Sequence, residues 1–263
     1  MKGDPQRLDA LLVERGLAES RGRAQGLILS GSVRVGDRVV TKAGSRVAPD
    51  EPLEVARADR FISRAGEKLD GALDEFDVRV EGRLCLDAGA STGGFTDVLL
   101  QRGAERVLAV DVGYGQLDWS LRNDPRVVVL ERTNVRRLGG DDLPFDPELL
   151  VADLSFISLT VALERLFSTT PSLREAVVLV KPQFEAGPGS VGRGGLVRDP
   201  GVHAEVILRV ADSFERPGFG AVGVARAAVA GRKSGNREYP LHLVRGAHTA
   251  LDEARVGEVV VGG

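Results

Sequence analysis

Apolar positions in the first fifty residues recur at two periods. Leu8, Leu11 and Leu12 fall at helical spacing, with Gly16 placed to end the helix. Ser20 stands where a helix N-cap would, followed by Ala24, Leu27 and Ile28 on one face and Gly31 beyond them. Val33-Arg34-Val35 and Arg38-Val39-Val40 then alternate around Gly36-Asp37, the pattern of a hairpin. Residues 47–60 hold two prolines and mixed charge, which predicts the end of this ribbon and a connecting stretch. Beyond it the spacing of Lys68, Leu69, Ala72, Leu73 and Phe76 predicts a helix, and helical and strand patterns alternate from there on. Strands are expected at 83–87, 106–111, 127–130, 149–153, 176–180, 221–224 and 239–243. This alternation predicts an α/β domain whose mostly parallel seven-stranded sheet is covered on both faces, preceded by a small α+β module. The expected division is 1–58, a linker at 59–66, and 67–263.

Composition narrows the classes. Hydrophobic content of 43% and charged content of 28% suit a globular chain. There is no apolar run of about eighteen residues, so no membrane partner is expected. The polar start, Met1 to Arg7, lacks the apolar core of a signal peptide, and a cytoplasmic location is expected. Cys85 is the single cysteine, which excludes an internal disulfide and a cysteine metal cluster. His203, His242 and His248 are not spaced as ligand pairs, so no metal is expected. Charge is uneven: residues 1–46 carry nine Lys/Arg against five Asp/Glu, whereas the remainder carries 26 against 33. A basic head on an acidic body suits a polyanionic partner, though chance clustering would look the same.

The stretch Leu84-Cys85-Leu86-Asp87-Ala88-Gly89-Ala90-Ser91-Thr92-Gly93-Gly94-Phe95 reads as a strand, a glycine-rich turn and the start of a helix. Open α/β sheets hold nucleotides at such a turn. Set against G-x-G-x-x-G, Gly89 and Gly94 match the first and third glycines, and Ser91 replaces the second. That middle glycine lets a pyrophosphate approach the backbone, so its loss favours an adenosyl ligand without phosphates. Asp111, at the tip of the next strand, can accept hydrogen bonds from ribose hydroxyls. Both NAD and S-adenosylmethionine carry such hydroxyls, and Asp111 does not separate them. A turn needed only for strand–helix packing is the plainer alternative.

Two resemblances sharpen this picture. The run Arg7-Leu8-Asp9 through Arg15-Gly16-Leu17-Ala18-Glu19-Ser20-Arg21 to Gly31-Ser32-Val33-Arg34-Val35 resembles the S4 domain, a module of RNA-binding and RNA-modifying proteins. That resemblance implies RNA contacts at Arg7, Arg15, Arg21 and Arg23, with Lys42 from the ribbon. Asp87–Phe95, Asp111-Val112-Gly113-Tyr114-Gly115-Gln116-Leu117, Ala152-Asp153-Leu154-Ser155-Phe156-Ile157-Ser158-Leu159 and Lys181-Pro182-Gln183-Phe184-Glu185 are similar to the TlyA family. Its members are ribosomal RNA cytidine-2′-O-methyltransferases, often also labelled haemolysins. The similarity runs over nearly the whole chain. It implies a Rossmann-like, FtsJ-like methyltransferase domain that uses S-adenosylmethionine on ribosomal RNA or ribosomal subunits. It further implies a Lys-Asp-Lys-Glu tetrad at Lys68, Asp153, Lys181 and Glu238. Cofactor contacts are expected at Gly89, Ala90, Ser91, Gly93, Gly94, Phe95, Asp111, Val112 and Asp153. The sequence departs from the family at Ala56-Arg57-Ala58-Asp59, so no role is carried over there.

These residue types suit the chemistry. A ribose 2′-hydroxyl must shed its proton as it attacks a sulfonium methyl, and a lysine helps as a base only when its pKa falls from about 10.4. Lys68 close to Lys181 would lower it by repulsion, while Asp153 and Glu238 hold the amines. Lys181 and Asp153 each follow an apolar run, which predicts both at the C-terminal edge of the sheet. Amino-group methylation is disfavoured because Asp153-Leu154-Ser155-Phe156 lacks the Pro-Pro of that class. Carbon-5 methylation needs a cysteine nucleophile, and Cys85 lies inside a strand between two leucines. Residues 185–201, rich in glycine with Arg193 and Arg198, can close over RNA or merely connect. Three rivals stand beside the enzyme: an RNA-binding assembly factor with an inert second domain, a membrane-lytic protein, and an NAD dehydrogenase.

Overall fold

The computed structural model describes residues 4–18, 20–29, 31–55, 60–229 and 236–262. The chain divides into two compact units, one ending at Arg60 and the other beginning at Phe61. Among the described residues no helix is long and apolar enough to cross a membrane.

The first unit has strand β1 (Gln6–Arg7), helices α1 (Leu8–Glu14) and α2 (Arg21–Leu29), and strands β2 (Val33–Val35), β3 (Arg38–Val39), β4 (Arg46–Val47) and β5 (Leu53–Val55). Ser20 Oγ accepts from the Arg23 N–H at 3.2 Å, which satisfies one free donor of the first turn of α2. Leu8, Leu11, Leu12, Ala24, Leu27 and Ile28 meet Val33, Val35 and Val47 in one small core. The expected ribbon is β2 paired antiparallel with β3. Two further features lie outside the expectation. β4 pairs with β1, and β5 adds a third strand beside β2, so part of the stretch expected to connect is sheet. Lys42 lies in the exposed loop between β3 and β4, not in a strand.

The second unit opens earlier than expected. Phe61 is buried, and α3 (Arg64–Glu75) begins inside the expected linker 59–66. The reason is packing: the Phe61 ring lies against Gly66, where an added Cβ would sit 2.5 Å from the Phe61 Cβ. Residues 56–59, which include the departure from the family, lie outside the described residues. Next come β6 (Leu84–Ala88), α4 (Gly94–Gln101), β7 (Arg106–Val110), α5 (Trp119–Arg122), β8 (Val127–Leu130), β9 (Leu149–Ala152) and α6 (Leu159–Thr169). They are followed by β10 (Glu175–Val180), α7 (Pro182–Glu185), α8 (Pro200–Ser213), β11 (Phe219–Val224), β12 (Tyr239–Arg245) and α9 (Glu253–Val261).

The seven-stranded sheet runs in the order β11-β12-β10-β9-β6-β7-β8. Pairs from β10 through β9, β6 and β7 to β8 are parallel, while β12 is antiparallel to both β10 and β11. Central strands such as β9 are buried along their whole length, which explains their unbroken apolar runs. Leu69 and Leu73 of α3, Val98 and Leu99 of α4, and Leu121 of α5 cover one face. Leu163 and Phe167 of α6, Val206 and Val210 of α8, and Val256 of α9 cover the other. The reversed β12 brings its N-terminal end to the edge where the parallel strands leave their C-terminal ends.

Candidate active site

Strand β6 ends in a turn that only glycine fits at two points. Gly89 has φ +89°, and a Cβ there would stand 2.7 Å from the Asp153 carbonyl oxygen, a backbone atom that cannot give way. Gly93 has φ +101°, and its Cβ would press on the Leu117 and Leu121 side chains. A larger residue at 93 therefore strains the core under the turn. Gly94 and Phe95 open α4, and the Phe95 ring is buried among Leu69, Ala72 and Val177 beneath Lys68. Ser91, which replaces the middle glycine, also has positive φ, +49°. Its N–H donates to Asp111 Oδ2 at 2.8 Å, and the Gly113 N–H donates to Asp111 Oδ1 at 2.6 Å. One carboxylate thus ties the two loops that wall a recess lined by Ala90, Ser91, Asp111, Gly113, Gln116 and Glu131. Val112, by contrast, turns outward and is 68% exposed.

Two acids here carry no periodic signal. Glu131, just beyond β8, accepts from the Gly115 N–H at 2.8 Å and from Arg122, and the Arg122 guanidinium holds its carboxyl below the usual range. Asp87 at the end of β6 is fully buried, and Thr96 Oγ1 donates to its Oδ2 at 2.6 Å. Burial pushes Asp87 up to about 7, with the Asp153 and Asp111 charges adding to the shift. Its other oxygen, Oδ1, is buried and accepts no hydrogen bond.

Asp153, Lys181, Lys68 and Glu238 form two ion pairs. Lys181 Nζ stands 2.5 Å from Asp153 Oδ1, and donates to Ser155 Oγ at 3.1 Å. Lys68 Nζ donates to Glu238 Oε2 at 2.6 Å. Topology explains the convergence. Val180 faces Tyr239 across the β10–β12 pair, so the next positions in that register, Lys181 and Glu238, stand opposite each other at the sheet edge. Ala152 faces Ala88 across β9 and β6, which sets Asp153 beside Gly89. Ser155 was not singled out from the sequence, since one hydroxyl in a loop carries no pattern. Phe156 follows it with φ +64°, is 90% exposed, and has its ring centroid 5.0 Å from that of Phe184.

In the first unit the expected contact residues differ in availability. Arg7 donates to both Asp9 oxygens, at 3.0 and 2.8 Å, and Asp9 also accepts from Gln25 Nε2 at 3.0 Å. Arg15 donates to the Glu51 carbonyl at 2.9 Å and to the Pro49 carbonyl. Arg21, Arg23 and Lys42 are exposed.

Comparison with known proteins identifies both units. Residues 61–245 match the FtsJ-like methyltransferase family, and residues 6–53 match the S4 domain. The chain is 49% identical over 256 residues to the 16S/23S rRNA (cytidine-2′-O)-methyltransferase TlyA of Mycobacterium tuberculosis, covering 97% of this chain and 95% of that protein. It is 40% identical to Hemolysin A of Brachyspira hyodysenteriae, covering 90% of this chain and 99% of that protein. A solved structure from Streptococcus thermophilus, described as a hemolysin, superposes with a TM-score of 0.74 at 37% identity, covering 98% of this chain and 94% of the other. With a methyltransferase unit, an S4 unit and relatives similar from end to end, the chain belongs to the TlyA family.

Proposed function

We propose that this protein transfers a methyl group from S-adenosylmethionine to the 2′-oxygen of a cytidine ribose in ribosomal RNA, in the cytoplasm. The observation that carries the reading is the pair of lysine–carboxylate contacts, Lys181–Asp153 and Lys68–Glu238, at the sheet edge that also holds the glycine turn and Asp111. The cofactor, when bound, supplies a methyl group on a positively charged sulfur. The residue types fit it: the glycine turn after β6 has positive φ at Gly89 and Gly93, and the Asp111 carboxylate just beyond β7 has oxygens that could accept from ribose hydroxyls.

The protein's own groups then do the following. Asp153 and Ser155 fix the Lys181 amine at the edge, where it receives or steers the proton leaving the ribose hydroxyl. Glu238, across the β10–β12 register from Lys181, fixes the Lys68 amine. Cys85, the residue that carbon methylation would need, is buried in β6, and burial pushes its thiol up to about 12. Oxygen remains the acceptor that suits these side chains. The S4 unit supplies affinity for RNA through phosphate contacts.

Incubating the protein with separated ribosomal subunits and labelled S-adenosylmethionine, then mapping the modified nucleotides, tests the reading. Label on a ribose 2′-oxygen of cytidine is expected. Label on a base, or none on either subunit, overturns it.

A further inference from the structure

Between the short helix after Lys181 and the start of α8 the chain carries glycines at 187, 189, 192, 194 and 195, yet it is pinned at one buried residue. Val197 is 3% exposed. Its N–H donates to Asn236 Oδ1 at 3.1 Å, and its carbonyl accepts from His203 Nε2 at 3.0 Å. A carbonyl only accepts, so Nε2 carries a proton, and in the neutral ring Nδ1 is then the acceptor. The Tyr239 hydroxyl donates to that Nδ1 at 2.7 Å. Asn236 Nδ2 also donates to the Gly195 carbonyl at 2.8 Å.

Both side chains that grip Val197 lead to the same place. Asn236 lies two residues before Glu238, and Tyr239 lies directly after it. Glu238 is therefore bracketed by residues tied to one turn of the glycine-rich segment, while its carboxylate holds Lys68. Asn236 and His203 are 2% and 3% exposed. Burying two polar side chains is costly unless their hydrogen bonds are made, and an apolar anchor would have held a loop as well. Four directional bonds do what apolar packing does not: they set the orientation of the backbone that presents Glu238.

We infer that Asn236 and His203 are positioning residues for methyl transfer, locking the glycine-rich segment to the strand end that presents Glu238 and, through Glu238, setting the Lys68 ammonium. This rests on the function proposed above. The segment is then a structural part of the catalytic edge and not a slack connector.

The test compares Asn236→Ala, His203→Ala and His203→Gln with the wild type in the full chain, using ribosomal subunits and S-adenosylmethionine. Asn236→Ala and His203→Ala should lower kcat about tenfold to a hundredfold, the scale of a misplaced group, with KM for the cofactor little changed. His203→Gln should recover much of the loss, because its amide can donate to Val197 and accept from Tyr239. In a Glu238→Gln background Asn236→Ala should have almost no further effect on the rate, since it acts through that carboxylate. A merely structural role would multiply the two losses, and that result overturns the inference. So does unchanged kcat in folded Asn236→Ala and His203→Ala proteins beside an active wild type. Should either alanine variant fail to fold, Tyr239→Phe removes only the hydroxyl, and the same two readings apply to it. A wild type silent on ribosomal RNA overturns the function itself, and this inference with it.

Discussion

The Lys68 ammonium meets the Glu238 carboxylate at 2.6 Å across 170 residues of chain. Their side chains are 11% and 5% exposed, so the pair lies largely out of water. It joins α3, the first helix of the second unit, to the start of the one reversed strand. Removing either partner leaves the other charge poorly solvated. Lys68→Ala and Glu238→Ala should each lower unfolding stability by about 2 kcal/mol, between the values for exposed and fully buried pairs. The double substitution should cost less than the sum. Urea unfolding of the three variants checks this, and strict additivity would refute the coupling.

Much of that geometry cannot be read from local pattern. The strands were legible because buried parallel strands are apolar runs bounded by charge, as at Leu149–Ala152 between Glu148 and Asp153. The direction of β12 was not, since Tyr239–Arg245 has the same apolar character whichever way it runs. Lys68 and Glu238 could therefore be matched only through resemblance, and their pairing appears only in three dimensions. Leu53–Val55 is too short to show a period, and Phe61 reads as a stray apolar residue until Gly66 is seen against it. Glu131 and Ser155 are single polar residues in loops, where function leaves no periodic trace.

Asp87 gives the apoprotein a pH dependence of known sign. Its carboxyl is pushed from 3.8 up to about 7 in the fold, chiefly by burial. A raised acid favours the fold below its unfolded pKa, and that contribution is lost as pH rises through the folded value. Stability should therefore fall between about pH 4 and 7, by at most about 4 kcal/mol for this group. Asp87→Asn stays neutral and still accepts from Thr96, so it should escape this loss. Melting temperatures of the two proteins at pH 5 and pH 8 decide the matter: parallel changes would show that Asp87 does not titrate in this window.

The arginines of the S4 unit should separate into two kinds. Arg21 and Arg23 are exposed at the start of α2, whereas the Arg7 fork is committed to the buried Asp9 carboxylate. That guanidinium, with Gln25, holds Asp9 well below the usual carboxylate range. Arg21→Ala or Arg23→Ala should weaken binding to ribosomal RNA and reduce the log–log salt slope by about 1, leaving cofactor affinity intact. Arg7→Ala should instead lower the unit's thermal stability. Binding titrations over a range of salt would contradict this division if Arg21→Ala and Arg23→Ala left the slope unchanged.

Lys181 carries the sharpest prediction. Its amine is held by Asp153 at 2.5 Å and by Ser155 at 3.1 Å, at the end of a buried strand and only 7% exposed. If it receives or steers the hydroxyl proton, Lys181→Ala should lower turnover by about a hundredfold to ten-thousandfold, the range of general-base effects. Cofactor and RNA affinity should change little. Lys181→Arg keeps the charge but cannot give up its proton near neutral pH, so it too should be nearly inactive. Lys68→Ala should slow the reaction as well, because Glu238 then loses the ammonium it holds at the same edge. Ser155→Ala removes one of the two groups that aim the amine and should cost less than loss of the amine itself. Single-turnover rates across pH separate these cases. A Lys181→Arg enzyme with near-normal turnover would show that the position supplies charge and not proton transfer, and the Asp153–Lys181 pair would then serve to orient the ribose.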